Sequence, residues 1–155
     1  MCTSFYESWI NFLGLGFISI AVEPLLVEIG KSNIDIRCIV DGTTLTRILR
    51  VQLLRLNTTG SNTPVVTVTQ NGVVWKDAAL ENKTGVTVNA SVSNVMSSYL
   101  HLKIPKTVVR YPEDVGSYQC SLLALGSLVG LVNDHSLIVN ITGQYKPMHV
   151  LRNRE

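Results

Sequence analysis

The sequence contains few charged residues, few aromatic residues and only three cysteines. Charged residues make up 15% of the 155 residues and aromatic residues 6%, whereas apolar residues make up 46%. A chain this apolar is not disordered, because it has enough apolar surface to bury a core. No apolar run reaches the ~18 residues of a membrane-spanning helix, and the length fits one domain with short flanking segments.

Clusters of basic residues are also missing, and the formal net charge is only +2. Basic stretches interleaved with aromatic residues are typical of nucleic-acid-binding proteins, but here Lys and Arg are scattered. No two of the three histidines have the spacing of metal ligands. We therefore expect no nucleic-acid partner, no metal and no other cofactor.

The N-terminal segment is typical of a secretory signal peptide. Residues 12–22 are apolar and include Ser19-Ile20-Ala21, a small-x-small pattern suited to signal peptidase. The preceding segment holds Glu7 and no Lys or Arg, which is unusual for an export signal. We interpret residues 1–21 as a cleaved signal peptide and expect a secreted or extracellular protein. The alternatives are an uncleaved signal-anchor, which would hold the chain on the extracellular face of the membrane, and an edge strand.

Cleavage after Ala21 would remove Cys2 and leave Cys38 and Cys120 as the only cysteines. The formal net charge would become +3, because Glu7 is lost and no basic residue is. No membrane span is expected in this mature chain. Two cysteines without nearby histidine cannot complete a tetrahedral zinc site, so an exported chain favours one disulfide. The alternative is two reduced cysteines buried in the core.

Apolar and polar residues alternate in several short segments, as in half-buried β-strands. This alternation predicts that Cys38 and Cys120 point toward the core, and that Leu49 and Leu137 face inward as well. Strands are predicted in residues 33–40, 47–56, 86–93, 100–104, 118–122 and 137–141.

Asn71-Gly72 stands between two β-branched runs and predicts a hairpin with a type I′ turn, because both residues tolerate positive φ. Turn residues such as those at 60–64 separate the strands at short intervals, and no helix pattern follows the N-terminal segment. Many short strands without crossover helices predict an all-β antiparallel sandwich or barrel. Inward cysteines on two distant strands favour the sandwich.

Residues 114–120, Asp-Val-Gly-Ser-Tyr-Gln-Cys, resemble the D-x-G-x-Y-x-C signature of immunoglobulin domains. The resemblance covers about residues 24–143 and implies an immunoglobulin-like β-sandwich with one inter-sheet disulfide between Cys38 and Cys120. It also implies a tyrosine corner formed by Tyr118, with Asp114 and Gly116 in the same motif. The two cysteines lie 82 residues apart, which suits a variable-type domain.

We assign residues 22–143 to this domain and expect residues 144–155 to form a basic, disordered tail. Two features depart from the family pattern. The Trp expected on the third main strand is absent, and Val51 or Leu49 stands in its place. The last strand lacks the Gly-x-Gly motif of antibody variable domains, so antibody-like pairing is not expected. The arrangement also resembles the N-terminal immunoglobulin-like domains of invertebrate immune lectins, such as the molluscan fibrinogen-related proteins, although no fibrinogen segment follows it.

Four N-x-Ser/Thr sequons without proline predict N-glycosylation. Asn89 and Asn140 fall on outward positions of predicted strands, and Asn57 and Asn82 fall in predicted turns. Each site can therefore carry a glycan without entering the core. The alternative is that these asparagines are only solvated.

Residues 122–132 are the most apolar segment of the predicted mature chain. In the immunoglobulin family the corresponding connection often lies in a ligand-binding or dimer surface, so the resemblance implies an interface. Leu125, Leu128, Val129 and Leu131 are the candidates for contact with a partner or for self-association. The alternative is that most of this segment extends two strands into the core.

Asp134-His135-Ser136 places three residue types of a catalytic triad side by side. Strand neighbours point to opposite faces, whereas a working triad joins side chains from different segments, so no enzyme activity is expected. The expected function is recognition of a protein or glycan partner, in immunity or adhesion. The alternatives are a structural β-sandwich that pairs through its sheet edges, and a fragment of a longer receptor or lectin.

Overall fold

The computed structural model describes residues 16–59 and 61–144. Short strands dominate this part of the chain, as the alternating pattern predicts. In chain order the strands are β1 Ile18–Glu23, β2 Leu26–Glu28, β3 Ile34–Val40, β4 Leu45–Leu56, β5 Asn62–Thr69, β6 Gly72–Trp75, β7 Thr87–Ser91, β8 Tyr99–Ile104, β9 Gly116–Gly126, β10 Gly130–His135 and β11 Val139–Gln144.

The strands form two sheets in which most neighbours run antiparallel. The smaller sheet has the order β1-β3-β8-β7. The larger sheet has the order β2-β11-β9-β4-β5-β6, and β10 also pairs with β9. β2 and β11 pair in parallel. The all-β expectation is therefore confirmed at the level of two sheets with mainly antiparallel pairing.

Helical structure is limited to single turns in the described part of the chain. The turn α1 spans Ala78–Glu81, and Asp77 caps it by accepting a hydrogen bond from the N–H of Leu80 at 3.0 Å. A 3₁₀ turn spans Val95–Ser97. Over residues 16–59 and 61–144, no helix is both long enough and apolar enough to cross a membrane.

Both sheets contribute side chains to one hydrophobic core. Ile36 and Leu102 from the smaller sheet and Leu53 and Leu122 from the larger sheet are fully buried. Alternate residues of a strand point to the same face, which explains why the period-two pattern predicts these positions. Each large aliphatic side chain buried here stabilises the fold by roughly 1.5–3 kcal/mol relative to its exposure in water.

β4 contains an irregularity that the alternating pattern does not predict. Its register against β9 shifts between Ile48 and Arg50. As a result Ile48 is fully buried, and Leu49 is only partly buried. The prediction that Leu49 faces the core with Val51 is wrong, because a bulge moves the inward positions by one residue.

Two predictions near strand ends are also wrong. Leu137 is exposed, because β10 ends at His135 and β11 begins only at Val139. The β5–β6 hairpin forms as predicted, but its turn is not type I′. Type I′ needs positive φ at both central residues. Asn71 has a negative φ, and of the predicted pair only Gly72 is positive, at 111°.

β1 crosses the predicted signal-peptide boundary. Ile18, Ile20 and Ala21 are buried in β1, which forms one edge of the smaller sheet. The edge-strand alternative therefore describes residues 18–21, and cleavage after Ala21 would remove most of β1. Cleavage itself stays a prediction. Residues 1–15 and 145–155 lie outside the described residues, whereas Gln144, assigned to the tail, belongs to β11.

Candidate functional site

Cys38 and Cys120 join the two sheets covalently. Cys38 lies in β3 and Cys120 in β9, and both are completely buried. Their sulfurs are bonded and their α-carbons are 5.7 Å apart. The predicted disulfide is confirmed. Val51, one of the two residues expected in place of a Trp, is also completely buried.

Tyr118 holds the chain segment that leads into β9. Its hydroxyl donates a hydrogen bond to the carbonyl oxygen of Asp114 at 2.8 Å. Burial raises the pKa of Tyr118 to about 12. Gly116 lies between the two residues with a φ of 126°, a backbone region that favours glycine. The three motif residues are therefore brought together at the start of β9.

The carboxylate of Asp114 has partners that sequence reasoning missed. It accepts a hydrogen bond from the Nζ of Lys83 at 2.6 Å and another from the backbone N–H of Arg110 at 2.7 Å. Lys83 Nζ also donates to the carbonyl oxygen of Val108 at 3.2 Å. Lys83 is the middle residue of a sequon in the sequence, and nothing local signals a partner 31 residues away.

Arg55 supports the same segment from β4. Its Nη2 donates to the carbonyl oxygens of Pro112 and Val115, at 3.0 and 2.7 Å. Its guanidinium lies 5.9 Å from the centre of the Tyr118 ring, within the range of a cation–π contact. Arg55, Asp114 and Tyr118 all have structural partners, so these contacts position β9.

The β9–β10 hairpin ends in an exposed apolar surface. Gly126 pairs with Gly130, and residues 127–129 form the turn between them. We call the exposed side chains of this region the hairpin tip; they are Leu125 (36% exposed), Leu128 (94%), Val129 (72%) and Leu131 (64%). Leu122, Ala124 and Val132 are buried. The alternative that the segment extends two strands into the core therefore holds for these residues and not for the hairpin tip.

The hairpin tip is attached to the start of β4. The backbone N–H and the hydroxyl of Ser127 both donate to the carbonyl oxygen of Thr44, at 2.9 and 3.0 Å. The hydroxyl of Thr46 donates to the carbonyl oxygen of Leu125 at 3.2 Å. These bonds hold the turn in place, so the aliphatic side chains are presented on a supported backbone.

All four sequon asparagines are exposed. Asn57 follows β4 and accepts hydrogen bonds on Oδ1 from the N–H groups of Thr59 and Ser61. Asn82 ends α1, Asn89 lies on β7, and Asn140 lies on β11 beside Ser117. Exposure satisfies the steric requirement for a glycan, and occupancy stays a prediction.

The adjacent triad-type residues have separate roles. Asp134 Oδ2 accepts a hydrogen bond from the N–H of Phe17 at 2.7 Å, whereas His135 is exposed. Ser136 is buried; its hydroxyl donates to the carbonyl oxygen of Leu137 and accepts from the N–H of Cys120. The serine hydroxyl is thus occupied by backbone groups, and none of these bonds joins the three side chains.

His101 and the surface concavity near it are weaker candidates for a functional site. His101 Nε2 contacts Asp35 Oδ1 on the outer face of the smaller sheet. Among the described residues, no three His, Cys, Asp or Glu side chains cluster as metal ligands do. The concavity beside His101 and Tyr99 holds about 280 Å³, below the roughly 300–1,000 Å³ of small-molecule sites. The hairpin tip is therefore the strongest candidate for interaction.

Comparison with known proteins does not assign a function to the hairpin tip. No family model and no curated protein matches the chain. The features of this chain that bear on function are the disulfide, the sheet order and the exposed hairpin tip.

Proposed function

We propose that this protein is an extracellular recognition module of the variable-type immunoglobulin class, which binds a protein or glycan partner without catalysis. The observation that carries the proposal is the apolar hairpin tip, held on a strand that is itself tied to the opposite sheet by Cys120. Large exposed apolar patches on soluble proteins mark interaction sites, because leaving them in water is unfavourable.

The order of the strands supports the immunoglobulin assignment. In that fold one sheet has strands A, B, E and D, and the variable type extends the other sheet with C′ and C″. The orders β1-β3-β8-β7 and β2-β11-β9-β4-β5-β6 fit this scheme if β3 is strand B and β9 is strand F. The disulfide then joins B to F, and the bond from Tyr118 to Asp114 has the form of a tyrosine corner.

The redox and surface chemistry support an extracellular location. Structural disulfides persist in oxidising compartments and are rare in the cytosol. Four sequons on exposed asparagines fit passage through a secretory pathway that attaches glycans. In this interpretation the disulfide stabilises the domain outside the cell, away from the glutathione and thioredoxin systems that keep cytosolic thiols reduced.

The decisive experiment is a binding screen with matched variants. The secreted protein, presented multivalently, is tested on an array of extracellular proteins and glycans. We expect selective binding that Leu128→Asp and Leu131→Asp weaken by roughly 30-fold or more, as for hot-spot residues. Leu26→Asp, which changes an exposed leucine on β2, serves as the control and is expected to bind normally.

Two results of this screen would contradict the proposal. One is the absence of any selective partner, and the other is unchanged binding by folded hairpin-tip variants. Sedimentation of the same variants tests self-association, because a dimer held by the tip would dissociate when Leu128 becomes Asp.

A second candidate function is pairing through a free sheet edge. β6 ends the order of the larger sheet, and its Val73 and Val74 are exposed. An edge strand with exposed β-branched residues can add a strand from another chain. Binding that is lost in Val74→Lys but kept in Leu128→Asp would favour this candidate.

A further inference from the structure

The outward face of β4, β9 and β10 combines leucines with arginines. Ile48 and Val51 of β4, Ala124 of β9 and Val132 of β10 are buried, so the positions directly next to them point away from the core. The pairing register defines two rows across this face, which are Arg47–Leu125–Leu131 and Arg50–Leu123–Asn133. The first row belongs partly to the hairpin tip, so the tip and the cationic positions form one continuous surface.

Arg50 has an unsatisfied donor on this face. Its Nε is buried and has no hydrogen-bond partner. Within residues 16–59 and 61–144, the guanidinium groups of Arg47 and Arg50 make no hydrogen bond and no ion pair. A buried donor without a partner is unfavourable, and the guanidinium is a planar group with five N–H donors suited to a carboxylate.

The surrounding strands supply no counter-charge. β4, β5, β6 and β9 contain no Asp or Glu. The acidic residue of β10 is Asp134, which pairs with buried Leu122 and accepts the N–H of Phe17. Across these strands the outward face is therefore cationic and apolar, and a carboxylate of another molecule would complement its charge.

We propose that this face binds an acidic protein segment in which an Asp or Glu stands beside an apolar side chain. The carboxylate pairs with Arg50, and the apolar side chain covers Leu125 and Leu131. This inference rests on the proposed function and specifies the chemistry of its partner. Burial of the ion pair beneath the apolar contact protects it from solvent, which makes it more sensitive to loss of either charge.

Two other occupants fit the face less well. A symmetric contact with a second copy would use the same surface twice and would bring like charges together without adding a carboxylate. A glycan would place hydroxyl groups against Leu125, Leu128 and Leu131, where an apolar side chain gains more from leaving water. An acidic and apolar protein segment satisfies both the charge and the aliphatic surface.

The test is selection from a library of random peptides displayed on phage, with immobilised wild-type protein as the bait. Selected peptides are expected to be enriched in Asp or Glu next to Leu, Ile, Val or Phe. Arg50→Leu is expected to weaken binding of a selected peptide by roughly 30-fold or more. Arg37→Leu, which removes an exposed arginine from β3 on the other sheet, is the matched control and is expected to bind normally.

Binding is also expected to weaken as salt rises, and Arg50→Lys is expected to recover only part of it, because lysine lacks the planar fork. Thermal unfolding of each variant checks that it is folded. Peptides without acidic enrichment, an Arg50→Leu variant that binds normally, or a preference for sialylated glycans over peptides would overturn the inference. If Leu128→Asp alone abolishes binding, the inference fails and the proposed function stands; if neither variant matters, both fail.

Discussion

The carboxylate of Asp114 lies 2.6 Å from the Nζ of Lys83, and this pair connects the segment after α1 to the start of β9. Both side chains are largely buried. The backbone carbonyl of the same aspartate accepts the hydroxyl of Tyr118, so Asp114 joins two networks with its side chain and its main chain. These contacts determine how β9, the strand that carries Cys120 and the hairpin tip, enters the larger sheet.

Replacing Lys83 is expected to destabilise the protein because Asp114 would keep a buried charge without its cation. We expect Lys83→Met to lower the free energy of unfolding by about 3 kcal/mol in urea denaturation. Lys76→Met changes an exposed lysine just before α1 and is expected to have little effect. Equal stability of the two variants would contradict a stabilising role for the buried pair.

Burial of Tyr118 is expected to make the folded protein less stable at high pH. The phenol titrates near 10 when the chain is unfolded, and burial raises its pKa to about 12 in the folded protein. Between these values the folded state retains a proton that the unfolded state releases, so the free energy of unfolding falls as pH rises. The total loss attributable to Tyr118 is about 3 kcal/mol.

Urea denaturation of wild type and Tyr118→Phe between pH 7 and pH 11 measures this effect. The variant is expected to lose about 1 kcal/mol at pH 7, since the hydrogen bond to Asp114 is gone. Its stability is then expected to fall less steeply above pH 10. Parallel pH profiles for the two proteins would show that Tyr118 does not titrate as described.

Gly42 is expected to tolerate no side chain. A Cβ at this buried position would overlap the carbonyl oxygen of Val95, and a backbone atom cannot move aside as a flexible side chain can. We expect Gly42→Ala to cost about 2 kcal/mol or more in thermal unfolding. At Gly30 a Cβ would meet nothing within 4 Å, and only its φ of 85° opposes alanine, at about 1 kcal/mol. A Gly42→Ala variant as stable as Gly30→Ala would refute the predicted overlap.

Glycans are expected to occupy surfaces away from the hairpin tip. Asn140 and the residue before Asn57 both pair with Ser117, at the end of β9 opposite Gly126. Asn89 lies on the smaller sheet. Protein secreted from eukaryotic cells should lose mass on enzymatic removal of N-glycans, and each Asn→Gln change should remove one glycan at most. Partner binding should survive deglycosylation; a mass that does not change would contradict the glycosylation prediction.

Sequence reasoning succeeded where structure follows from neighbours along the chain. Alternation in residues 33–40 and 100–104 predicted the buried faces of β3 and β8, because the side chains of a strand repeat every two residues. The same rule placed Cys38 and Cys120 inside, and the turn-forming Asn71-Gly72 predicted the β5–β6 hairpin.

The rest depends on contacts between distant segments. The bulge at Ile48 depends on the pairing of β4 with β9, so the local alternation misassigned Leu49. The partnership of Lys83 with Asp114 and the isolation of Arg50 depend on how the sheets assemble. The sequence left open whether Leu128 lies in the core or at an exposed interface. Its exposure follows from the turn after Gly126, whose position the sequence does not determine.

The bond between Cys38 and Cys120 underlies the stability of the domain and its proposed place outside the cell. Its state in the natural protein is measured by alkylating free thiols without reduction, digesting the protein and identifying the cysteine peptides by mass spectrometry. We expect one disulfide-linked pair of peptides that contain these two cysteines. Recovery of both cysteines in alkylated form would contradict it.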